Sequence, residues 1–212
     1  MAVVVPARRV LWSRSVGEAP PDAEGAADPG SPALRVEGPV LRAAEPGGGQ
    51  TLWEFTADGP IAAAPALGHR SVFFGTAGRM FYALNAATGK VRWRRRLQGA
   101  PAHPAVVAAG RLAVAASNSV VYRLSRRGGS ILSWQAVPSR VIHELAVAGP
   151  LVLISSASPT VAALDMRTGK TAGQYEAPGS LVAGAVWTPP YVVLFTEDEE
   201  TGRQKIIFPR SR

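Results

Sequence analysis

The chain has no cysteine. That excludes a disulfide framework, a thiolate zinc site and a cysteine nucleophile. Lysine is scarce as well, with Lys90, Lys170 and Lys205 alone, so most of the positive charge is arginine. Apolar runs stay short, far below the roughly 18 residues of a membrane helix. The run in Met1–Arg9 is too short for a signal peptide, and its charges follow it instead of preceding it. The N-terminus therefore leaves the compartment open. Aromatic residues are only 7%, yet five of them are Trp.

What is present points to strands. Hydrophobic residues make up 47% of the 212 and charged residues 18%, a globular balance. The 22 Gly and 18 Pro punctuate short apolar segments rich in Val, Ala, Leu and Phe, as in a fold of many strands and turns. The formal net charge is +8. It reads as an arginine-biased composition, with an acidic partner (nucleic acid or anionic lipid) as the sharper alternative.

Self-comparison organises the chain. Shifted by about 40 residues, the length of a propeller blade, Gly49 meets Gly89, Gly129 and Gly169. Ala43 meets Ala83, Arg123 and Ala163; Glu45 meets Asn85, Ser125 and Asp165; Trp53 meets Trp93. The reference unit predicts strands over Ile61–Leu67, Ser71–Thr76, Arg79–Asn85 and Val91–Leu97. The next predicts His103–Ala108, Arg111–Ser117, Val120–Ser125 and Ile131–Val137. The third predicts His143–Val147, Leu151–Ser156, Thr160–Asp165 and Thr171–Tyr175. Four short antiparallel strands per unit are the signature of a blade.

The expected architecture is an all-β propeller of about five four-stranded blades in one domain, 1–212. Residues 34–55 form a degenerate blade; 57–97, 99–137 and 140–178 form full ones; 181–208 form the last. That last unit offers Leu181–Trp187, Tyr191–Thr196 and Arg203–Phe208 and lacks a fourth strand. Residues 9–16, with Leu11-Trp12 resembling Leu52-Trp53, are expected to supply it and close the ring. Residues 17–33 are Pro, Gly, Ala, Ser and acid, and read as a flexible loop.

The pattern Ala-x-Asp/Asn-x-x-Thr-Gly-x-x-x-Trp resembles the tryptophan-docking motif of pyrroloquinoline-quinone dehydrogenase-type β-propellers. It is similar also to the repeat of BamB-type outer-membrane assembly propellers. Ala83, Asn85, Thr88, Gly89 and Trp93 match in full. Ala43, Gly49 and Trp53 match its ends. Ala163, Asp165, Thr168 and Gly169 match, with Gly173 where Trp is expected. In the middle unit Gly129 matches, Ser133 holds the Trp position and Trp134 comes one residue late. The resemblance implies that each Trp packs on the next blade's turn. The Gly leaves room for the ring, and the Asn or Asp bonds the turn's backbone.

The quinoprotein enzymes of that family carry eight blades, a calcium-binding Glu/Asn/Asp cluster, a catalytic Asp, a Trp platform and often a vicinal disulfide. No such set can be carried over to this chain. The expectation is no catalytic residue, no cofactor and no metal. His103 and His143 occupy equivalent places on successive units, and with Glu144 form the weak candidate binding set, the residue types that hold zinc or iron. His69 falls in a turn, and Glu197–Glu200 in an acidic hairpin tip. The clusters Arg92–Arg96 and Arg123–Arg127 are candidate anion contacts, read first as solvated edge strands.

By this resemblance the chain is expected to be a non-catalytic scaffold that binds another protein or peptide, in cell-envelope protein assembly and in the periplasm. The alternatives are a sensor or substrate-binding propeller detached from a larger protein, and a basic anion or nucleic-acid binder.

Overall fold

The structure is a computed structural model. It describes residues 2–4, 32–46, 49–177, 179–188, 191–198 and 202–208. Every element among them is a strand. The expected closing strand at 9–16 and nearly all of the 17–33 loop lie outside the described residues.

The strands form five sheets. The first has three strands, β2 (Ala33–Glu37), β3 (Val40–Ala44) and β4 (Thr51–Thr56), counted after a short β1 (Ala2–Val4). Three four-stranded antiparallel sheets follow. They are β5–β8 (Ala66–Gly68, Ser71–Gly75, Met80–Asn85, Val91–Arg96), β9–β12 (Val106–Ala108, Arg111–Ala116, Val120–Ser125, Ile131–Ala136) and β13–β16 (Ala146–Ala148, Leu151–Ser155, Thr160–Asp165, Thr171–Glu176). The last sheet holds β17 (Ser180–Leu181), β18 (Val186–Thr188), β19 (Tyr191–Asp198) and β20 (Gly202–Phe208). This is the all-β, propeller-like arrangement that the repeat predicted.

The first strands of the repeats differ from expectation. The first strand of each repeat is shorter than its apolar run. In place of Ile61–Leu67 there is a single bridge from Ile61 to Thr76, then a bend, then β5. Pro65 and Pro104 lie in the bent stretches of two repeats and offer no N–H to a ladder, while the third repeat bends at His143 without a proline. At the N-terminus β1 also joins the last sheet, pairing parallel to β20 with Ala2 opposite Lys205.

The core is divided into layers between the sheets. Phe74, Tyr82 and Leu84 pack with Leu41, Ala43 and Trp53 of the first sheet. Their chain neighbours Phe73, Phe81 and Ala83 pack with Leu112, Val114 and Tyr122 of the third. Two further layers repeat this between the third and fourth sheets and between the fourth and fifth. Successive side chains on a strand point to opposite faces, so a blade held between two others needs both faces apolar. That is why the central strands read as unbroken apolar runs instead of alternating ones.

The first sheet behaves differently on the face turned away from the second. There Arg42 donates to Glu54 at 2.7 Å and to Glu37 at 2.6 Å. The ion pairs hold the Arg42 guanidinium above its ordinary pKa. Arg42 stands where the next two units carry Tyr82 and Tyr122, so an ion-paired residue takes the place of a core aromatic.

Candidate functional site

The motif residues form the joints between blades. Asn85 Oδ1 accepts from the N–H of Ala87 at 2.9 Å and of Thr88 at 3.2 Å. Asp165 Oδ1 accepts from Arg167 at 2.8 Å and Thr168 at 3.2 Å. The two side chains mould the same Asx turn. Thr168 adds a bond from the Lys170 N–H to its hydroxyl. At Gly89 the backbone has φ +67°, and a Cβ would lie 2.7 Å from the Trp53 ring. Gly129 has the same φ and is covered by the Trp93 ring. Each indole also donates beyond the glycine it covers: Trp53 Nε1 to the Ala86 carbonyl at 2.8 Å, Trp93 Nε1 to that of Arg126 at 3.0 Å. Ala43 and Ala83, fully buried, lie opposite Trp53 and Trp93 in the sheet and leave room for them. Gly49 sits beside the Glu45 carboxylate.

The third sheet makes its joint differently. Ser133 takes the Trp position, opposite Arg123. Arg123 is buried, and its Nη1 donates to the carbonyls of Met166 at 3.1 Å and Arg167 at 3.0 Å, while Nε donates to Ser133 Oγ at 3.1 Å. Burial lowers its pKa. The guanidinium lies over Gly169, as the indoles lie over Gly89 and Gly129. Arg123 is therefore an internal strut and no part of a surface anion patch. The sequence signal for it was a reciprocal swap, with the large residue in the Ala column and the small one in the Trp column of the same unit.

Trp134 does not dock. It pairs with Tyr122 and so points to the opposite face from Ser133, where it stays 66% exposed. Ala163, opposite Gly173, is buried as well, so the fourth sheet has no bulky residue at either place.

His103 and His143 also act between blades. The ring Nε2 of His103 lies 3.0 Å from the Val141 carbonyl, and that of His143 lies 3.4 Å from the Leu181 carbonyl. A carbonyl only accepts, so each ring nitrogen is the donor. Each imidazole thus links the bend before one blade to the first bridge or strand of the next. Glu144 is exposed and outside this pairing. Among the described residues no group of three His, Asp or Glu is arranged to hold a metal ion.

On the rim, Arg92, Arg94, Arg95 and Arg96 of β8 are exposed, and Arg95 Nε donates to the Gly129 carbonyl at 2.9 Å. Beside them opens a groove of about 570 Å³ between the first and second sheets, lined by Phe55, Asp58, Tyr82, Val91, Trp93 and Arg94 among others. Phe55 meets Tyr82 edge-on at 5.6 Å, and Phe74 stacks on Tyr82 at 5.2 Å. Asp58 accepts from the Thr76 hydroxyl at 3.0 Å. Burial, then the Asp58 carboxylate, raises the Tyr82 pKa above the ordinary phenol value. Neither Phe55 nor Tyr82 falls in a motif column, so the repeat did not single them out.

Comparison with known proteins places this geometry. The family model of the outer membrane protein assembly factor BamB matches residues 36–180. Among solved structures, BamB from Moraxella catarrhalis superposes with a TM-score of 0.65 at 20% identity, over 81% of this chain and 62% of that one. The computationally designed Ika8 protein gives a TM-score of 0.65 at 17% identity, over 84% of this chain and 57% of that one. Saccharomyces cerevisiae Sqt1 gives 0.62 at 12% identity, over 79% and 55%. The chain thus spans somewhat under two thirds of the length of these proteins. No curated protein sequence matches it.

Proposed function

The chain belongs to the family of the outer membrane protein assembly factor BamB, and on that premise we propose that it is a non-catalytic scaffold that binds proteins during outer-membrane protein assembly. The observation that carries this reading is the family match, which runs through all three full repeats and not through one motif. The use of the side chains supports it. The Trp and His residues that chemistry would call on hold one blade to the next, and the Asn and Asp shape the turns at those joints. The rim is left with open edge strands and exposed arginines, and rigid discs of this kind recognise partners through such peripheral surfaces. Among the described residues no helix is long and apolar enough to cross a membrane.

Photo-cross-linking in the source cell tests the reading. A photoreactive residue is placed at exposed positions such as Leu132, Trp134 and Arg127. The expected result is a cross-link to components of the outer-membrane assembly machinery, with lower outer-membrane protein levels when the gene is deleted. Unchanged outer-membrane proteins and an absence of cross-links from every position would overturn it.

A further inference from the structure

The groove between the first and second sheets is built for more than solvent. Its walls set half-buried Phe55 against the buried Tyr82 ring, and exposed Arg94 lines it as well. Arg96 lies two residues further along β8, on the same side of the strand. No carboxylate pairs with Arg92, Arg94 or Arg96 among the described residues. The one acid in the lining, Asp58, is engaged by the Thr76 hydroxyl. β8 is also the edge of its sheet, in the order β5-β6-β7-β8, so its outward N–H and C=O groups face no further strand of that sheet.

We propose that this groove binds an extended acidic segment of a partner protein. The segment lies along β8, lays one apolar side chain against the open side of Phe55, and sets flanking carboxylates against Arg94 and Arg96. The inference rests on the scaffold reading and names the chemistry of the partner. Strand addition at a sheet edge supplies backbone bonds, while alternate side chains supply specificity. The alternation suits this edge, because the basic residues facing the groove are two apart. A guanidinium pairs a carboxylate through two parallel bonds. A second copy of this chain is disfavoured by its net charge of +8. A single nucleic-acid strand would want aromatic rings free to stack on successive bases, whereas Phe55, Phe74 and Tyr82 pack on one another.

The repeat carries its own comparison. At the register-equivalent places one blade on, Arg95 replaces Phe55 and Trp134 replaces Arg94. An aromatic residue and an arginine are present again, on exchanged walls. One blade further the pair is Gln135 and Gln174, and Gln135 is engaged by the Thr171 hydroxyl at 3.0 Å. Among the described residues the acidic-apolar match is thus confined to the first two grooves.

The test uses the full chain and fluorescence anisotropy with three labelled probes. One is an acidic peptide of alternating Glu and Asp with a central Phe, the second carries Ala at the centre, and the third is an oligothymidylate. The Phe peptide is expected to bind, and the Ala peptide to bind about tenfold more weakly or worse. The double variant Arg94→Glu/Arg96→Glu should weaken the Phe peptide by about tenfold or more, and Arg127→Glu by less than about twofold. Equal binding of the Phe and Ala peptides, or no effect of the double variant, would overturn the proposal. Oligothymidylate binding as tightly with the same arginine dependence would make this a phosphate site instead. The probe comparison uses the unaltered chain, so it stands if a variant misfolds. Failure of the peptide with cross-links to the assembly machinery intact would sink the groove and leave the scaffold reading standing.

Discussion

Arg123 does for the third blade what Trp93 does for the second. Its Nη1 reaches the Met166 carbonyl at 3.1 Å, the register equivalent of the Arg126 carbonyl that the Trp93 indole reaches at 3.0 Å. The bulk has moved from the outer strand to the strand inside it, since Arg123 faces Ser133 as Ala83 faces Trp93. The joint conserves a donor, a flat group over a glycine and a small residue opposite, and lets any side chain that meets those terms serve.

The exchange predicts a rescue. Arg123→Ala strips the donors from two carbonyls and should cost about 2–3 kcal/mol, the range for hydrogen bonds to a charged group. Adding Ser133→Trp to that variant restores the second blade's arrangement and should recover at least half of the loss. Urea melts of the single and double variants measure it, and a double variant no more stable than Arg123→Ala would refute the equivalence.

At the second blade, Trp93→Ala opens a cavity over Gly129 and should cost about 3–5 kcal/mol. Trp93→Phe keeps most of the packing and loses the bond to Arg126, for about 1 kcal/mol. The difference between the two in thermal or denaturant unfolding separates the ring's volume from its N–H.

His103→Ala should destabilise by about 1 kcal/mol through the lost bond to Val141. Zinc should leave the melting temperature of the unaltered protein in place, because each imidazole already donates to a neighbouring blade. A rise in melting temperature with zinc that His103→Ala abolishes would return these residues to a metal-binding role.

Tyr82 predicts alkaline sensitivity. Its folded pKa is raised from 10.0, chiefly by burial, so the folded state keeps a proton that the unfolded chain releases. Its contribution is whole below pH 10.0 and falls away as the pH rises from there through the folded pKa. Tyr82→Phe should flatten the decline of stability above that pH, read by denaturant melts across the alkaline range. An identical slope in both proteins would count against it.

The fold was legible because its signal is redundant. Four glycines in one column, and small, Asx and Trp columns beside it, record the same joint repeatedly. One degenerate copy does not erase the period. The candidate site was less so. His103 and His143 were picked out by their equivalent spacing, but spacing alone does not show that their partners are backbone carbonyls one blade ahead. Arg123 looked like its surface neighbour Arg127 because a sequence shows charge and not burial. Trp134 looked like a docking Trp one place late. A one-residue slip in a strand reverses the face, and that alone leaves it in solvent.

The sequence by itself determined the repeat, its strands, the turn chemistry and the absence of any cysteine-based site. Those follow from local rules: period, propensity and the conformations that glycine and Asx residues permit. Only the tertiary structure decided which residue fills each joint and which faces of the arginine-rich strand meet the groove. It also decided that Arg42 of the first sheet is ion-paired, where the next two sheets carry Tyr82 and Tyr122. These outcomes depend on what the neighbouring blade presents across a layer of core, and that neighbour lies a whole repeat away in the chain.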